Sequence, residues 1–530
     1  MRARIIRWHF AKLAAAVALL AGAGALAVNA AEVSLLNTLK WTRWGGKDQV
    51  VWQEKDGKRA VTLSCAPGEK APSISTPEVD LAEFRDKEVE LVLTFSGEDI
   101  VRGWCATNRW AGDQRKPGPA DFSPAMYHWD VQFATHSDYT RPAYTDFPDG
   151  TFGAREHVIK FHYPATGHKF GLSLFFSGES GKITYHDVVL RESATKYMDR
   201  FVKVPEGFKC EYTDKVLKAP HLRGIVAGDG FKAEDYEKIR GWGCNLVRFW
   251  AKGDDLSKTD ELLPVLDKLG LKVILTPAVP GKRTKDTSYA LFNDEALYEK
   301  YLANWKKIAA HYKGDERIFA FDLMNEPFQA LRKEPDDKYN FLAVQYEAAK
   351  AIRAIDPDRV LIANATGGSS PDNYNACDMR PLPMKDVIYQ MHFYSPFFLT
   401  HAGLYGTKLL PNDPYPGTLK RNTKWTKKEV GTVMDYMNDF IERWGAQIYV
   451  GEFSCMSIQP GAAQWLDDVA GLIEEHGWKF WTFHSYGEFY GWNLESIRDK
   501  ETKKLRNIKP GETTDRLEVM KKWWSKNWTE

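Results

Sequence analysis

The sequence predicts a multidomain protein in which an all-β sandwich, jelly-roll-like in its pattern, precedes a (β/α)8 (TIM) barrel. Three observations carry this prediction. The chain has 530 residues, enough for two or three domains. Its first part shows short alternating apolar runs with no helical periodicity, which is typical of antiparallel strands. Its second part alternates short apolar strands with amphipathic helices, which is typical of a parallel sheet with crossover helices.

Charge and composition narrow the kinds of partner. The chain carries 72 basic and 71 acidic side chains, for a net charge of +1, and no basic block stands out. We therefore expect neither nucleic acid nor an acidic membrane surface as a partner. Aromatic residues are frequent, with 19 Trp, 23 Tyr and 28 Phe, and they predict either a large core or flat stacking surfaces for sugar rings.

Residues 1–31 have the pattern of a secretory signal peptide. Basic residues precede an apolar run over 13–28, and the small-residue exit Asn29-Ala30-Ala31 follows. We expect cleavage there, a secreted or periplasmic mature protein and no stable membrane insertion. The alternative is an uncleaved membrane anchor, which the shortness of the run and its glycines disfavour.

Cysteines and histidines form no metal-ligand pattern. Six cysteines are widely spaced, and neither Cys-x-x-Cys nor His-Glu-x-x-His occurs. Buried thiols are the expected state of most of these cysteines, because a chain of this length builds a core without a disulfide framework. The sequence therefore predicts no metal and no cofactor.

Residues 32–195 are predicted to form the β-sandwich. Strand-like runs separated by turn residues are 49–52, 59–63, 89–95, 128–134, 157–162, 170–176 and 183–190. The closing run 181–190 resembles the last strands of jelly-roll carbohydrate-binding modules. That resemblance implies a glycan-binding module, with Trp104, Trp110, Tyr127 and Trp129 as a candidate platform. The alternative is that these rings pack in the core and turns, and that the module is purely supporting.

A linker is expected over 196–219 and the barrel domain over 220–530. Predicted barrel strands are 222–226, 245–250, 272–276, 318–323, 359–363, 387–392, 447–451 and 479–483. Helical patterns between them are 259–269, 294–312, 339–355, 426–444, 462–476 and 514–524. Thr259 is predicted to cap the first of these helices and Gly270 to end it. In a (β/α)8 barrel the active-site residues lie at the C-terminal ends of the strands.

Two of those strand ends carry a glutamate. The apolar run 319–324 leads into Asn325-Glu326-Pro327, and the run 448–453 contains Glu452 near its end. Burial disfavours the charged form of a carboxyl group, which suits a general acid. Two such groups are what glycoside hydrolysis needs: a proton donor and a nucleophile or base. A lone strand-end glutamate is more often a cap or a salt-bridge partner, so the matched positions of the pair are what favour catalysis.

Five further residues end neighbouring strands. Arg248 is expected to hold the second glutamate ionised, or else to form a buried structural salt bridge. Asn325 is positioned to donate to a sugar 2-hydroxyl, and His392 and Tyr394 alternate along strand six so that both face the substrate. Trp481, on strand eight, is expected to stack on the sugar at the cleavage point, with core packing as the alternative.

From about residue 220 to the C-terminus the chain resembles glycoside hydrolase family 5, the cellulase-like retaining enzymes on (β/α)8 barrels. The matching motifs are Asn-x-Val-Arg ending at Arg248, Asn325-Glu326-Pro327, His392-x-Tyr394, Gly451-Glu452-Phe453 and Gly477-Trp478-x-x-Trp481. The resemblance implies Glu326 as acid/base, Glu452 as nucleophile and the other five residues as subsite contacts. Many members also carry a histidine near the end of strand three. The run 272–278 has none, so that contact is missing or replaced.

The resulting prediction is a secreted hydrolase of β-linked polysaccharides or oligosaccharides, with endo-β-1,4-glucanase as the favoured specificity. A retaining mechanism requires the two carboxyl groups to lie about 5–5.5 Å apart. Mannanase, xyloglucanase and exo-β-glucosidase are alternative specificities. A non-catalytic glycan-binding protein is the alternative from a different class. The loop 395–425 is long enough to form a wall of the cleft.

Overall fold

The computed structural model describes residues 31–529 with gaps. The gaps are 70–71, 77–78, 80, 86, 102–125, 135–140, 147–149, 164–168, 177–179, 195–196, 254, 284–288, 329–336, 372, 375–378, 405–406, 408–409, 411, 420–422, 488–490 and 499–504. The predicted signal peptide, apart from Ala31, lies outside the described residues, as do Trp104 and Trp110. The signal peptide and the sugar platform therefore stay predictions.

The N-terminal part of the chain forms two antiparallel sheets. Strands β1–β11 are Glu32–Ser34, Thr42–Trp44, Val50–Lys55, Lys58–Cys65, Ser73–Ser75, Lys87–Val101, Met126–Ala134, Arg141–Asp146, Gly150–Tyr163, Lys169–Phe175 and Ser180–Glu192. One sheet has the order β3-β4-β11-β6-β9, with β1 also paired to β11, and the other has the order β2-β5-β10-β7-β8. The predicted all-β architecture is confirmed. The runs in the sequence do not mark β1, β2 and β5, which are short, or β8, which contains Pro142.

The two sheets share one core. Leu63 and Leu91 come from one sheet and Ile74 and Leu174 from the other, and all four are fully buried. Alternate residues of each strand supply this core, as the period of two in a β-strand requires.

Eight parallel strands of the second part close into a barrel in chain order. They are β12 Leu222–Gly228, β13 Leu246–Ala251, β14 Lys272–Pro277, β15 Ile318–Asp322, β16 Val360–Asn364, β17 Val387–Phe393, β20 Ile448–Phe453 and β21 Phe480–Phe483. The hairpin strands β18 Gly417–Leu419 and β19 Thr423–Trp425 lie between β17 and β20, and β22 Ser496–Arg498 and β23 Leu505–Asn507 follow β21. The predicted barrel is confirmed, and every strand lies within two residues of its predicted bounds.

Alternate residues of the barrel strands point inward and stack in layers. The layer nearest the N-terminal ends is apolar and includes Leu222, Leu246, Ile274, Ile388 and Phe480. Two residues further along the strands the inward side chains become polar, and six of them are fully buried: Arg248, Thr276, Asp322, Asn364, Gln390 and Thr482. The outward side chains pack under the surrounding helices.

Strand β20 departs from this alternation once. Met391 of β17 pairs with Val450, but His392 pairs with Glu452, so the register shifts by one residue at Gly451. Tyr449 belongs to the interior cluster and Val450 to the cluster under the helices. The extra residue of this β-bulge turns Glu452 inward.

The main barrel helices are Ala233–Gly241, Ser257–Lys268, Glu295–His311, Phe341–Ile355, Lys427–Met434, Tyr436–Trp444, Ala462–Glu475 and Asp515–Trp524. The prediction that Thr259 caps a helix is wrong. That helix begins at Ser257, whose backbone N–H donates to the Asp255 carboxylate, so Thr259 lies inside the helix and is buried. Gly270, at φ +69°, follows its end as predicted. The single helix predicted over 426–444 is two helices that meet at Asp435.

The predicted linker packs on the barrel. Val202 and Val204 join the core under the helices, and Val216 joins the apolar layer inside the barrel. The Tyr212 hydroxyl donates to the backbone carbonyl of Val387 on β17 over 3.0 Å. This stretch is therefore part of the barrel's packing.

A buried ion pair joins the sandwich to the barrel. Glu88 lies on β6 and Arg380 precedes β17, and their side chains are 11% and 6% exposed. The Arg380 guanidinium also lies 6.0 Å from the ring of Trp444. Within the described residues, no helix has both the length and the apolar character needed to cross a bilayer. Cys244 and Cys455 are buried thiols, as expected.

Candidate active site

Arg248 is the charged centre of the polar layer inside the barrel. Its guanidinium donates to Glu452 Oε1 over 2.6 Å, to Asp322 Oδ2 over 2.6 and 3.0 Å, and to Asn325 Oδ1 over 2.8 Å. Burial by itself would lower the pKa of Arg248, but the carboxylates of Asp322 and Glu452 outweigh burial and raise this pKa above its ordinary value. The prediction that Arg248 holds Glu452 agrees with this geometry, and Asp322 is a second partner that the sequence reading missed.

Glu452 is buried among groups that favour its ionised form. The Tyr394 hydroxyl donates to Oε2 over 2.9 Å, and the Nδ1 atoms of His392 and His484 both lie 3.5 Å from that oxygen. Burial raises the pKa of Glu452, but the imidazoles of His392 and His484, the Arg248 guanidinium and the Tyr394 hydroxyl lower it to about 2. A carboxylate held ionised in this way is suited to act as a nucleophile.

The carboxyl group of Glu326 is more exposed than that of Glu452 and has different neighbours. Its side chain is 27% exposed, and Oε1 lies 2.9 Å from His392 Nδ1. Its backbone has φ +46°, a left-handed conformation that is strained for a residue with a Cβ. The guanidinium of Arg283 donates to the Glu326 carbonyl over 3.2 Å, and the Tyr289 hydroxyl donates to the Asn325 carbonyl over 2.6 Å. These bonds fix the segment that presents the carboxyl group.

The two glutamates lie beside the same ring nitrogen of His392, at 2.9 Å for Glu326 Oε1 and 3.5 Å for Glu452 Oε2. One ligand-type atom from each of Glu326, His392 and Glu452 lies within 4.8 Å of the other two. Such a cluster has the composition of a metal site. His392 Nδ1 is at hydrogen-bond distance from Glu326 Oε1, 2.9 Å, and a ring nitrogen that donates a proton there has no lone pair to offer a metal. The expectation of no metal and no cofactor stays a prediction.

Six of the seven predicted site residues come together at the C-terminal ends of the strands: Arg248, Asn325, Glu326, His392, Tyr394 and Glu452. The seventh, Trp481, does not. It is fully buried, its indole N–H donates to Glu474 Oε1 over 3.0 Å, and its ring packs on Trp524 and Phe453. The prediction that Trp481 lines the cleavage subsite is therefore wrong, and the alternative of core packing is correct.

The period of two in β21 explains this error. Phe480 lies in the apolar interior of the barrel, so Thr482 and His484 also point inward, whereas Trp481 and Phe483 point toward the helices. His484 is the residue of strand eight that reaches Glu452, and its ring lies edge-on to Trp492, with the centroids 5.4 Å apart. Counting outward from the apolar residue at 480 would have identified His484.

The loop predicted to form a wall of the cleft has a mixed role. Tyr394, just before it, contacts the rings of His401 and Trp492 beside Glu452. Tyr415 and Trp425 are buried, and these two side chains belong to the core instead. Burial lowers the pKa of His401 to about 3, which keeps this imidazole neutral in the aromatic cluster.

The end of strand three has a threonine, and no histidine, as its last inward residue. Thr276, the last inward residue of β14, donates its hydroxyl proton to Asp322 Oδ2 over 3.1 Å. It therefore supports the carboxylate that holds Arg248. Asp322, Asn364 and Gln390 were also missed, because each lies within a buried strand that the sequence reading treated as apolar.

Comparisons with known proteins match the barrel part of the chain. A family model described as cellulase (glycosyl hydrolase family 5) matches residues 231–487. Endoglucanase C of Acetivibrio thermocellus is 27% identical over 265 residues, which cover 44% of this chain and 74% of that protein. Endoglucanase H of the same organism is 24% identical over 258 residues, which cover 47% of this chain and 25% of that protein. The solved structure of endoglucanase Cel5A from Thermotoga maritima is 22% identical, covers 56% of this chain and has a TM-score of 0.45. The family model and the endoglucanases thus support glycosyl hydrolase family 5 for residues 231–487, and the chain is a glycoside hydrolase.

Proposed function

We propose that the chain cleaves β-1,4-linked glucans with retention of configuration, with Glu326 as acid/base and Glu452 as nucleophile. The observation that carries this proposal is the contrast between two carboxyl groups that lie close together. Glu452 is buried against Arg248 and its pKa is lowered to about 2. Glu326 is partly exposed, and its Oε1 atom lies 2.9 Å from His392 Nδ1. Two carboxyl groups in such different environments suit an acid and a nucleophile.

The reaction proceeds in two displacements. In the first, a Glu452 oxygen bonds to the anomeric carbon while the glycosidic C–O bond breaks and the departing oxygen takes the proton of Glu326. In the second, Glu326 takes a proton from water, whose oxygen bonds to the anomeric carbon and releases Glu452. The short distance between the carboxyl oxygens, within 4.8 Å, supports retention, since inversion needs about 6.5–9.5 Å to admit a water.

The substrate class rests on the relatives. The matching curated proteins are named endoglucanases, which supports an internal β-glucan linkage as the target. Aromatic rings beside Glu452, those of Tyr394 and Trp492, offer apolar faces on which sugar rings can pack. We also propose that residues 1–31 direct export, so that the enzyme meets its polymer outside the cytoplasm.

The test is reducing-end release from carboxymethylcellulose, mannan, xyloglucan and xylan by the wild type and by Glu452→Gln. Glu495→Gln is the matched control, because Glu495 pairs with Lys238 away from the site and is also largely buried. We expect activity on the β-1,4-glucan, loss of about 10²-fold or more in Glu452→Gln, and normal activity in the control. NMR of the first-formed product should show the β anomer.

Each part of the proposal can fail separately. An α anomer as the first product would exclude retention. Preference for mannan or xylan would exclude the glucanase assignment while leaving the two carboxyl roles intact. Wild-type inactivity on all four polymers, with retained binding, would favour the glycan-binding alternative. Wild-type activity in Glu452→Gln would exclude Glu452 as the nucleophile.

A further inference from the structure

We propose that Gln390 is a positioning residue that holds His392 as the neutral tautomer protonated at Nδ1, so that Oε2 of Glu326 is the oxygen that carries and delivers the catalytic proton. This inference rests on the proposed function for the role of Glu326. The assignment of the tautomer rests on the hydrogen bonds of the buried layer alone. Gln390 lies on β17, two residues before His392, and is fully buried.

The orientation of the buried amides is fixed at Asp322. Both this carboxylate and Arg248 are fully buried, and the guanidinium donates to Oδ2. The other oxygen, Oδ1, accepts from Asn364 Nδ2 over 2.8 Å. An ionised carboxylate only accepts hydrogen bonds, so the nitrogen of the Asn364 amide must face Asp322. Its oxygen then points the other way and accepts from the Ser369 hydroxyl over 3.0 Å.

Asn364 in turn fixes Gln390. The Gln390 Nε2 atom lies 2.8 Å from Asn364 Oδ1 and 2.8 Å from His392 Nε2. Because Asn364 presents its oxygen here, the group that faces it must be the Gln390 nitrogen, which has two hydrogens. One hydrogen goes to Asn364 and the other to His392. Both amide orientations thus follow from a charged group at the start of the chain of bonds, which removes the usual ambiguity between amide oxygen and nitrogen.

Gln390 then determines which ring nitrogen of His392 is protonated. The Nε2 atom of the imidazole accepts a proton from Gln390, so it has a lone pair and no hydrogen. The single ring proton lies on Nδ1, which is 2.9 Å from Glu326 Oε1 and 3.5 Å from Glu452 Oε2. A second proton on Nε2 would place two donors against each other in a fully buried pair, which disfavours the imidazolium form.

The tautomer of His392 decides which oxygen of Glu326 carries the acid proton. Its Oε1 atom is occupied by the His392 N–H, so the acid proton lies on Oε2. In the first displacement this proton passes from Oε2 to the glycosidic oxygen, while the electron pair of the breaking C–O bond goes to that oxygen. In the second displacement Oε2 accepts a proton from water, and the His392 N–H bond stays in place throughout.

The bulge in β20 makes room for Gln390. A Cβ on Gly451 would lie 2.5 Å from Cδ of Gln390, so the amide occupies space that any other residue at 451 would fill. The neighbouring charged and titratable groups are few. Glu326 and Glu452 face His392 directly, Arg248, Tyr394 and His484 contact Glu452, and Asp322 lies behind Asn364. Tyr289 contacts the backbone beside Glu326.

The direct test reads the tautomer in the wild-type enzyme. Long-range ¹H–¹⁵N NMR of protein labelled in the imidazole nitrogens distinguishes a protonated from an unprotonated ring nitrogen, and His392→Gln assigns the signals among the 13 histidines. At neutral pH we expect Nδ1 protonated and Nε2 unprotonated. Protonation at Nε2, alone or together with Nδ1, would overturn the proposal. This readout does not depend on any substrate, so it holds even if the proposed function fails.

Variants at two buried glutamines test the consequence for catalysis. Gln390→Glu replaces the donor with an acceptor of the same shape, so His392 gains a proton on Nε2. A cation beside Glu326 favours its ionised form, so the alkaline limb of kcat/KM should move to lower pH and kcat should fall about 10- to 100-fold. The matched control is Gln345→Met. Gln345 is equally buried and bonds the backbone of Asn364, at 2.8 Å, without contacting His392.

The two variants separate a positioning role from a structural one. The control should lose stability and keep the wild-type pH profile, whereas Gln390→Glu should change the profile and the NMR signal of Nε2 together. If Gln390→Glu keeps the wild-type profile and kcat, the proposal is wrong. If both variants shift the profile equally, the effect is structural and the proposal is also wrong.

Discussion

Glu326 has a backbone conformation that a glutamate adopts only at a cost of about 1–3 kcal/mol. The compensation comes from donors on one neighbouring loop. Arg283 binds the Glu326 carbonyl, and its guanidinium lies 4.1 Å from the ring of Tyr289, which binds the preceding carbonyl. These bonds end on backbone carbonyls, so both side chains act on the position of the carboxyl group through the backbone.

Replacing Arg283 should therefore affect catalysis more than stability. Arg283→Met keeps the bulk over Tyr289 and removes the donors. We expect kcat to fall about 10-fold with KM nearly unchanged and with the free energy of unfolding within about 1 kcal/mol of wild type. The adjacent exposed Lys282→Met is the control. A fall in stability that matches the fall in activity would contradict this role.

The charge on Glu452 makes stability depend on pH. Its pKa is lowered from 4.5 to about 2 in the folded enzyme, so its contribution to stability is complete above pH 4.5 and is lost as the pH falls toward 2. The contribution is on the order of 3 kcal/mol. Unfolding free energies of the wild type and Glu452→Gln should converge between pH 4.5 and 2 and keep a constant difference above that range. If the two unfolding free energies keep a constant difference down to pH 2, folding does not lower the pKa of Glu452.

At strand β21, two aromatic residues point to opposite sides of the sheet: Trp481 within the strand and His484 directly after its end. The direction of each side chain decides whether it can take part in the site. Trp481 lies under the helices and His484 beside Glu452. In sequence both are aromatic residues near the end of strand eight, and only the inward direction of Phe480 separates them. The sequence motif around Trp481 predicted the correct strand and the wrong face.

Alanine substitutions at Trp481 and His484 should affect different properties of the enzyme: stability in the first case and catalysis in the second. Trp481→Ala removes a fully buried indole and should destabilise the enzyme by about 3–5 kcal/mol, with kcat/KM of the folded fraction near wild type. His484→Ala should change stability by about 1 kcal/mol or less and lower kcat/KM about 10- to 100-fold, since it borders the nucleophile. Urea unfolding and initial rates on the same preparations provide the comparison. A large activity loss in refolded Trp481→Ala would place that ring in the subsite after all.

At the scale of the whole molecule, the sandwich is joined to the catalytic barrel through Glu88 and Arg380. Both side chains are nearly buried, so removing either partner leaves the other without its counter-charge away from water. The packed segment 201–217 adds apolar contact to the same barrel. The N-terminal module is thus joined to the enzyme by a specific ion pair, and the segment that connects them packs on the barrel.

A double-mutant cycle with Glu88→Gln and Arg380→Gln should show this coupling. Calorimetry monitors the unfolding transition of the barrel. We expect an interaction energy of about 1–3 kcal/mol between the two substitutions. The exposed pair Lys182–Glu98, within the sandwich, is the control and should give less than about 1 kcal/mol. Additive effects at Glu88 and Arg380 would mean that the two parts of the chain are energetically independent.

The barrel and most of its site were readable from the sequence, because short apolar strands ending in Arg, Asn-Glu and Glu give strong local signals. The buried amides were not. Asn364 and Gln390 each lie between two apolar neighbours in the sequence, and both make hydrogen bonds to residues of other strands. Thr259 was misplaced for a local reason, since the helix already begins at Ser257, whose N–H bonds the Asp255 carboxylate. Pairing across strands and the exact start of a helix are properties of the folded chain.

The bulge at Gly451 makes the direction of the nucleophile depend on how β20 pairs with β17, as well as on side-chain identity. The one-residue register shift is what points Glu452 into the barrel. If Gly451 paired as an ordinary strand residue, strict alternation from Tyr449 would turn the Glu452 carboxylate toward the helices, with every catalytic side chain still present in the gene product. Loss of the enzyme's chemistry can therefore come from a change of strand register that an inspection of catalytic residues would pass as intact.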